Sequence, residues 1–278
     1  MIKSILLSVD GSAYTDTVLR CGIHCSKSFN ALLRVLTVVD VRIFESVVAA
    51  GADGFVPIIP STLYQEESRR ILEERATAVL DKCRGILQQE NCRFELQKIA
   101  GPPSDIICEQ ALSVDLVIIG SRGEFARWES KMMGATLEAV TRLCNKSLLI
   151  ARREFRKPTN MLMAYDGSPN ANRALAIAGF TAQQFRIPMT LLNVTEHAEH
   201  GRMILHEAER YLEPYEITVT SELARGTVDE AIVRHAESNQ FDIIAMGAYG
   251  HSRIREAILG STTEQIIKKT KLPVLLAK

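Results

Sequence analysis

Cysteine is missing from the 278-residue chain after Cys144, and the six present (Cys21, Cys25, Cys83, Cys92, Cys108 and Cys144) all precede that point. A chain that builds its second half without cysteine does not depend on a disulfide framework. Cys-x-x-Cys is also absent, which weighs against thioredoxin-like chemistry. Cys21 and Cys25, four apart on a helical stretch, are read as packing residues. A charge excess is lacking too: Lys+Arg and Asp+Glu are both 33, split 19 against 19 over residues 1–155 and 14 against 14 over residues 156–278. Neither half has the cationic surplus that phosphate neutralisation of a nucleic acid requires. No apolar run approaches the roughly 18 residues of a membrane helix. The opening run, Ile5 to Val9, is too short for a signal peptide and is broken by Asp10. The expectation is a cytoplasmic protein with no nucleic-acid or membrane partner.

What the chain does have is a repeat. Lys3 to Val9 leads into Asp10-Gly11-Ser12, and Asn160 to Tyr165 leads into Asp166-Gly167-Ser168. Each apolar run reads as a buried strand that ends in a polar turn and feeds a helix, Thr15 to Lys27 or Asn170 to Gln184. Both copies continue through a Leu- and Val-rich strand (Ala31 to Asp40, Ile187 to Thr195), a helix (Tyr64 to Gln89, His200 to Glu213) and a third strand (Phe94 to Ala100, Tyr215 to Ala224). The fourth strands are Asp115 to Gly120 and Asp242 to Gly247, and the last are Ser147 to Ala151 and Pro273 to Ala277. Strands alternating with helices predict an α/β fold with two tandem open parallel sheets and helices on both faces. The domains are expected at 1–151 and 160–278, with the charged, proline-bearing segment 152–159 as a surface linker. The first copy carries an additional surface excursion over Val41 to Leu63.

A glycine loop follows the fourth strand of the second copy: Gly247-x2-Gly250-x9-Gly260-Ser261-Thr262. Glycines at a strand exit permit tight turns and close backbone approach, and hydroxyls and amides at a helix start offer hydrogen bonds to anionic oxygens. Nucleotide phosphates suit that chemistry. The loop is neither the Gly-x4-Gly-Lys-Ser/Thr phosphate loop nor a dinucleotide fingerprint, which belongs after the first strand.

With this loop and the repeat, nearly the whole chain resembles a tandem universal stress protein, the second copy matching the ATP-binding branch of that family. The resemblance implies a five-stranded parallel sheet in each domain, pairing of final strands, and ATP across the carboxyl ends of the central strands. It places Asp166 near the adenosine, Val194 against the adenine, and Gly247, Gly250, Gly260, Ser261 and Thr262 around the phosphates. Asp166 has a second role open to it, accepting hydrogen bonds from its own turn, and Val194 is equally suited to ordinary core. Ser252, Arg253 and His251 are further candidates beside the phosphates, or else an exposed helix start. The first copy retains Asp10, Val38, Gly120, Gly123, Gly134 and Thr136, but ten residues separate Gly123 from Gly134 and Ala135 stands where the second copy has Ser261. The additional residue is expected to redirect the later amides, so ATP or AMP, with Mg2+ neutralising a triphosphate, is expected chiefly in the second domain.

No spacing selects a general base, so binding is favoured over turnover. Slow ATP hydrolysis is the enzymatic alternative, and a partner-binding module without nucleotide is another. Expected partners are the adenine nucleotide, an unidentified protein, the two domains for each other through their final strands, and a second copy in a homodimer. Glu196-His197-Ala198-Glu199-His200 with His206 lacks zincin spacing and is read as a solvated segment rather than a metal site.

Overall fold

The computed structural model describes residues 1–40, 62–123, 133–248 and 259–278. The first half runs β1 (Ser4–Ser8), α1 (Thr15–Phe29), β2 (Leu32–Val39), α2 (Thr62–Gln89), β3 (Phe94–Ala100), α3 (Pro103–Ala111), β4 (Leu116–Gly120), α4 (Ala135–Leu143) and β5 (Ser147–Ala151). The second repeats it with β6 (Met161–Ala164), α5 (Pro169–Phe185), β7 (Met189–Val194), α6 (Ala198–Leu212), β8 (Val219–Ala224), α7 (Val228–Ser238), β9 (Ile243–Gly247), α8 (Ser261–Lys269) and β10 (Val274–Ala277). The third strand of the second half is shorter than expected, because Glu213–Tyr215 forms a 3-10 turn with Pro214 at its centre. The excursion expected over residues 41–63 lies outside the described residues, apart from its last two, which begin α2.

Each half is a parallel five-stranded sheet, and the two join into one ten-stranded sheet ordered β3-β2-β1-β4-β5-β10-β9-β6-β7-β8. The joint is antiparallel, with Ile150 opposite Val274, Leu149 opposite Leu275 and Leu148 opposite Leu276. All six side chains are buried. Left uncovered, each would forfeit about 1.5–3 kcal/mol. Successive strand residues face opposite sides of a sheet, so two cores form. Leu7, Leu33, Leu149, Met163 and Leu275 belong to one, and Leu6, Leu36, Leu148, Leu162 and Leu276 to the other. Each core runs through both halves.

Helices reinforce the seam. On α1, Phe29 stacks on Phe185 of α5 with ring centres 5.3 Å apart, and His24 lies 4.4 Å from the same ring. The residue after each final strand crosses to the other half. Arg152 donates from Nε to the Leu272 carbonyl (2.9 Å) and from Nη2 to the Ile267 carbonyl (2.8 Å), beside the C-terminus of α8. Lys278 donates from Nζ to the Thr141 carbonyl near the C-terminus of α4. The last carbonyls of a helix lack intrahelical donors and sit at its negative end, so cations complete both. Burial, then the neighbouring Tyr14 and Arg122, sets the Arg152 pKa, lowered to about 10, and the guanidinium stays charged at neutral pH. The segment 152–159 is therefore more than a surface tether: Arg152 is inserted across the seam, and Phe155 packs against the core at His24. The cysteines are free, and burial pushes the Cys21 thiol up to about 12, in keeping with a packing role.

Candidate functional site

In each half the strand order reverses beside the first strand, between β1 and β4 or between β6 and β9. Open α/β sheets bind ligands at the carboxyl ends of strands at such a switch point. A cavity lies there in both halves, about 670 Å³ in the first and about 380 Å³ in the second.

The turn after the first strand builds one wall. Asp10 Oδ1 accepts from Ser12 N at 2.9 Å, and Asp166 Oδ1 accepts from Ser168 N at 3.0 Å. The glycine between them is left-handed in both turns, φ 80° at Gly11 and 75° at Gly167, a conformation other residues adopt at a cost. Both aspartates thus hold their own turns while lining the cavities. In the second half Ser168 also caps α5, its Oγ accepting from Ala171 N at 3.2 Å. Tyr165, beside it, bonds its hydroxyl to Asn172 Oδ1. Burial first, then the Glu207 and Asp166 carboxylates, holds that phenol above its ordinary range and hence protonated.

The opposite wall is the loop after the fourth strand. Ser121 N donates to the Ala151 carbonyl and Gly134 N to the Ser121 carbonyl; Ala248 N donates to the Ala277 carbonyl and Gly260 N to the Ala248 carbonyl. Gly134 (φ −62°, ψ 139°) and Gly260 (φ −59°, ψ 137°) then precede α4 and α8 with matching backbones. Among the described residues, the amides from Gly134 and from Gly260 onward share one direction, and both helices begin alike.

All six first-half candidates, Asp10, Val38, Gly120, Gly123, Gly134 and Thr136, line the larger cavity. Gly123 closes on the aspartate: a Cβ there would stand 2.8 Å from Asp10 Oδ2. In the second half Asp166, Val194, Gly247 and Thr262 line the cavity. Gly247 also has a packing duty, since a Cβ there would meet the Asn170 carbonyl carbon and oxygen at 2.9 Å. Gly260 precedes α8 and Ser261 is exposed; neither is among the described lining residues. Gly250, His251, Ser252 and Arg253 lie outside the described residues.

Two residues emerge only from the structure. Thr37 and Asn193 immediately precede Val38 and Val194, and both line the cavities. Thr37 is 3% and Asn193 4% exposed, and Thr37 Oγ1 and Asn193 Oδ1 are buried without a protein partner. Asn193 Nδ2 donates to the Tyr165 carbonyl at 2.8 Å, which fixes the amide. The signal was a polar residue at the same place, just before the last valine-rich positions, in two mainly apolar strands. Thr263, also on the lining, donates to the Ala248 carbonyl at 3.1 Å. The histidines do not gather. His200 lines the second cavity and His206 Nδ1 lies 3.6 Å from Glu209, and among the described residues no three His, Cys, Asp or Glu side chains form a metal-holding group.

The model of the universal stress protein family matches residues 1–152 and again residues 158–278. The chain belongs to the universal stress protein family. Its similarity to universal stress protein Slr1230 of Synechocystis is 29% identity over 284 residues, covering 99% of both chains. Universal stress protein MJ0577 of Methanocaldococcus jannaschii is 34% identical over 105 residues, 37% of this chain and 63% of that one. Among solved structures, a universal stress protein from Archaeoglobus fulgidus superposes with a TM-score of 0.78 at 22% identity, covering 99% of this chain and 98% of that one. That likeness supports the tandem fold, and the Slr1230 match runs through both halves.

Proposed function

We propose that this universal stress protein binds adenine nucleotides at the switch-point cavities and serves stress adaptation through a change of conformation or partner rather than a released product. The observation that carries this reading is convergence. In the second half, four separate segments bring Asp166, Val194, Gly247 and Thr262 to one cavity. The glycine spacing favours the second half. The first half stands beside it on geometry, because its helix start is the same and its cavity is larger.

Asp166 and Val194, with Asp10 and Val38 in the first half, stand where a ribose and a base would meet a carboxylate and an apolar wall. The first-turn amides of α4 and α8 have no intrahelical partners and favour phosphate. ATP or AMP both fit this scheme. Mg2+ would enter on the phosphates of a triphosphate, with oxygens of phosphate and water as its ligands. Slow hydrolysis is the alternative output; Asp10 and Asp166, the aspartates nearest the turn, each accept from an amide of their own turn. Among the described residues no helix is long and apolar enough to cross a membrane. The final strands are occupied with each other, so a homodimer would use a different surface.

Thr136→Asp and Thr262→Asp test the reading half by half. A carboxylate in the first turn favours the helix but repels a phosphate. By calorimetry, each substitution is expected to weaken ATP binding at least tenfold at its own site and to spare the other. Wild-type affinity in the double variant would refute the proposed phosphate position.

A further inference from the structure

The two cavities occupy corresponding places but are walled by different charges. A Cβ on Gly11 would meet Val79 of α2, and a Cβ on Gly167 would meet Ile204 of α6, so these two helices cover the same turn in each half. One helical turn before Val79 is Arg75, and one turn before Ile204 is His200; both line their cavities. The loop adds to the contrast. Arg122 lies between Gly120 and Gly123 on the first cavity, where the second sequence has Tyr249 between Gly247 and Gly250. Among the described lining residues, the second cavity has neither arginine nor lysine.

We infer that the first-half cavity is selective for polyphosphates, with Arg75 and Arg122 meeting the outer phosphates of its nucleotide. This rests on the adenine-nucleotide reading above and extends it to what each half distinguishes. Arginine suits the role because its planar fork binds phosphate oxygens in pairs. Arg75 and Arg122 each already have an interaction within the protein, and Asp10 and Asp40 share the lining, so a bound phosphate competes with existing contacts. The greater volume accommodates the longer ligand, about 670 Å³ against about 380 Å³. Loss of the hydroxyl at Ala135 removes one side-chain donor but leaves the helix-start amides, and two guanidinium groups more than replace it.

The test exchanges the two wall residues in the full chain. ATP, ADP and AMP are titrated into wild type, Arg75→His and His200→Arg, with affinities at each site read from calorimetry and from the number of ligands bound in native mass spectrometry. The expected ATP:AMP affinity ratio falls about tenfold at one site in Arg75→His and rises at the other in His200→Arg. Ratios within twofold of wild type in both variants, with binding intact, would overturn the charge assignment and leave the binding reading standing. Equal loss of AMP and ATP in Arg75→His, with no gain in His200→Arg, would also overturn it. No adenine nucleotide bound by wild type would instead remove the reading beneath. Should Arg75→His fail to fold, His200→Arg decides alone, because it adds a cation to a cavity wall without deleting one of the first-half residues.

Discussion

From Gly120 to Gly134 the first half has one residue more than the second has from Gly247 to Gly260, yet both loops close on the same pair of backbone bonds and release their helices from glycines of nearly equal dihedrals. The walls facing those loops differ instead, with Arg75 on one side and His200 on the other. The described ends of the two loops thus do not separate the halves, whereas the side chain at the lining position of α2 or α6 does.

The largest effect that separates the halves is expected at the seam. Arg152 makes two bonds to carbonyls of the other half and Lys278 makes one. Arg152→Ala should destabilise the chain by about 2–4 kcal/mol, because it leaves acceptors without their charged donor, and Lys278→Ala by about 1 kcal/mol. Urea unfolding checks both, and equal losses would show that the seam is held symmetrically.

A smaller contrast lies at the helix starts. Ser168 caps α5 with its hydroxyl, while the residue before α1, Tyr14, makes no side-chain cap. Ser168→Ala is expected to cost about 1 kcal/mol and Ser12→Ala distinctly less. Thermal melts compare them, and a greater loss for Ser12→Ala would reverse the assignment.

The smallest is a pH effect confined to the α1/α5 contact. Burial, followed by the charge of Lys157, lowers the His24 pKa below its ordinary 6.5. The folded state therefore holds His24 neutral, and between the lowered value and 6.5 the unfolded chain binds more proton. The contribution of His24 is complete above about pH 6.5 and is lost as pH falls toward the folded value. His24→Phe should flatten stability over this range; an unchanged slope in denaturant titrations would show that His24 does not drive it.

Much of the fold could be read from the chain because its signals are local. Apolar runs ending in Asp-Gly-Ser placed β1 and β6, and alternation of strand and helix placed the rest. The boundaries of β8 shifted because Pro214 favours the 3-10 turn over an extended strand, a competition that hydrophobicity does not reveal. Of the site, Asp10, Val38 and Thr136 were legible as motif positions and line the cavity. Arg75 was not, because it sits inside a 28-residue charged helix where nothing local distinguishes it from the arginines at 69 and 70. The reciprocal reach of Arg152 and Lys278 was hidden as well, since each finds its partner across a seam that exists only once β5 meets β10.

Native mass spectrometry of the untagged chain with ATP tests most directly whether both halves are nucleotide sites. Two adenine nucleotides per chain at saturation are predicted. A chain that stays bare at millimolar ligand would contradict nucleotide binding altogether, and saturation at one would contradict the parity of the two halves.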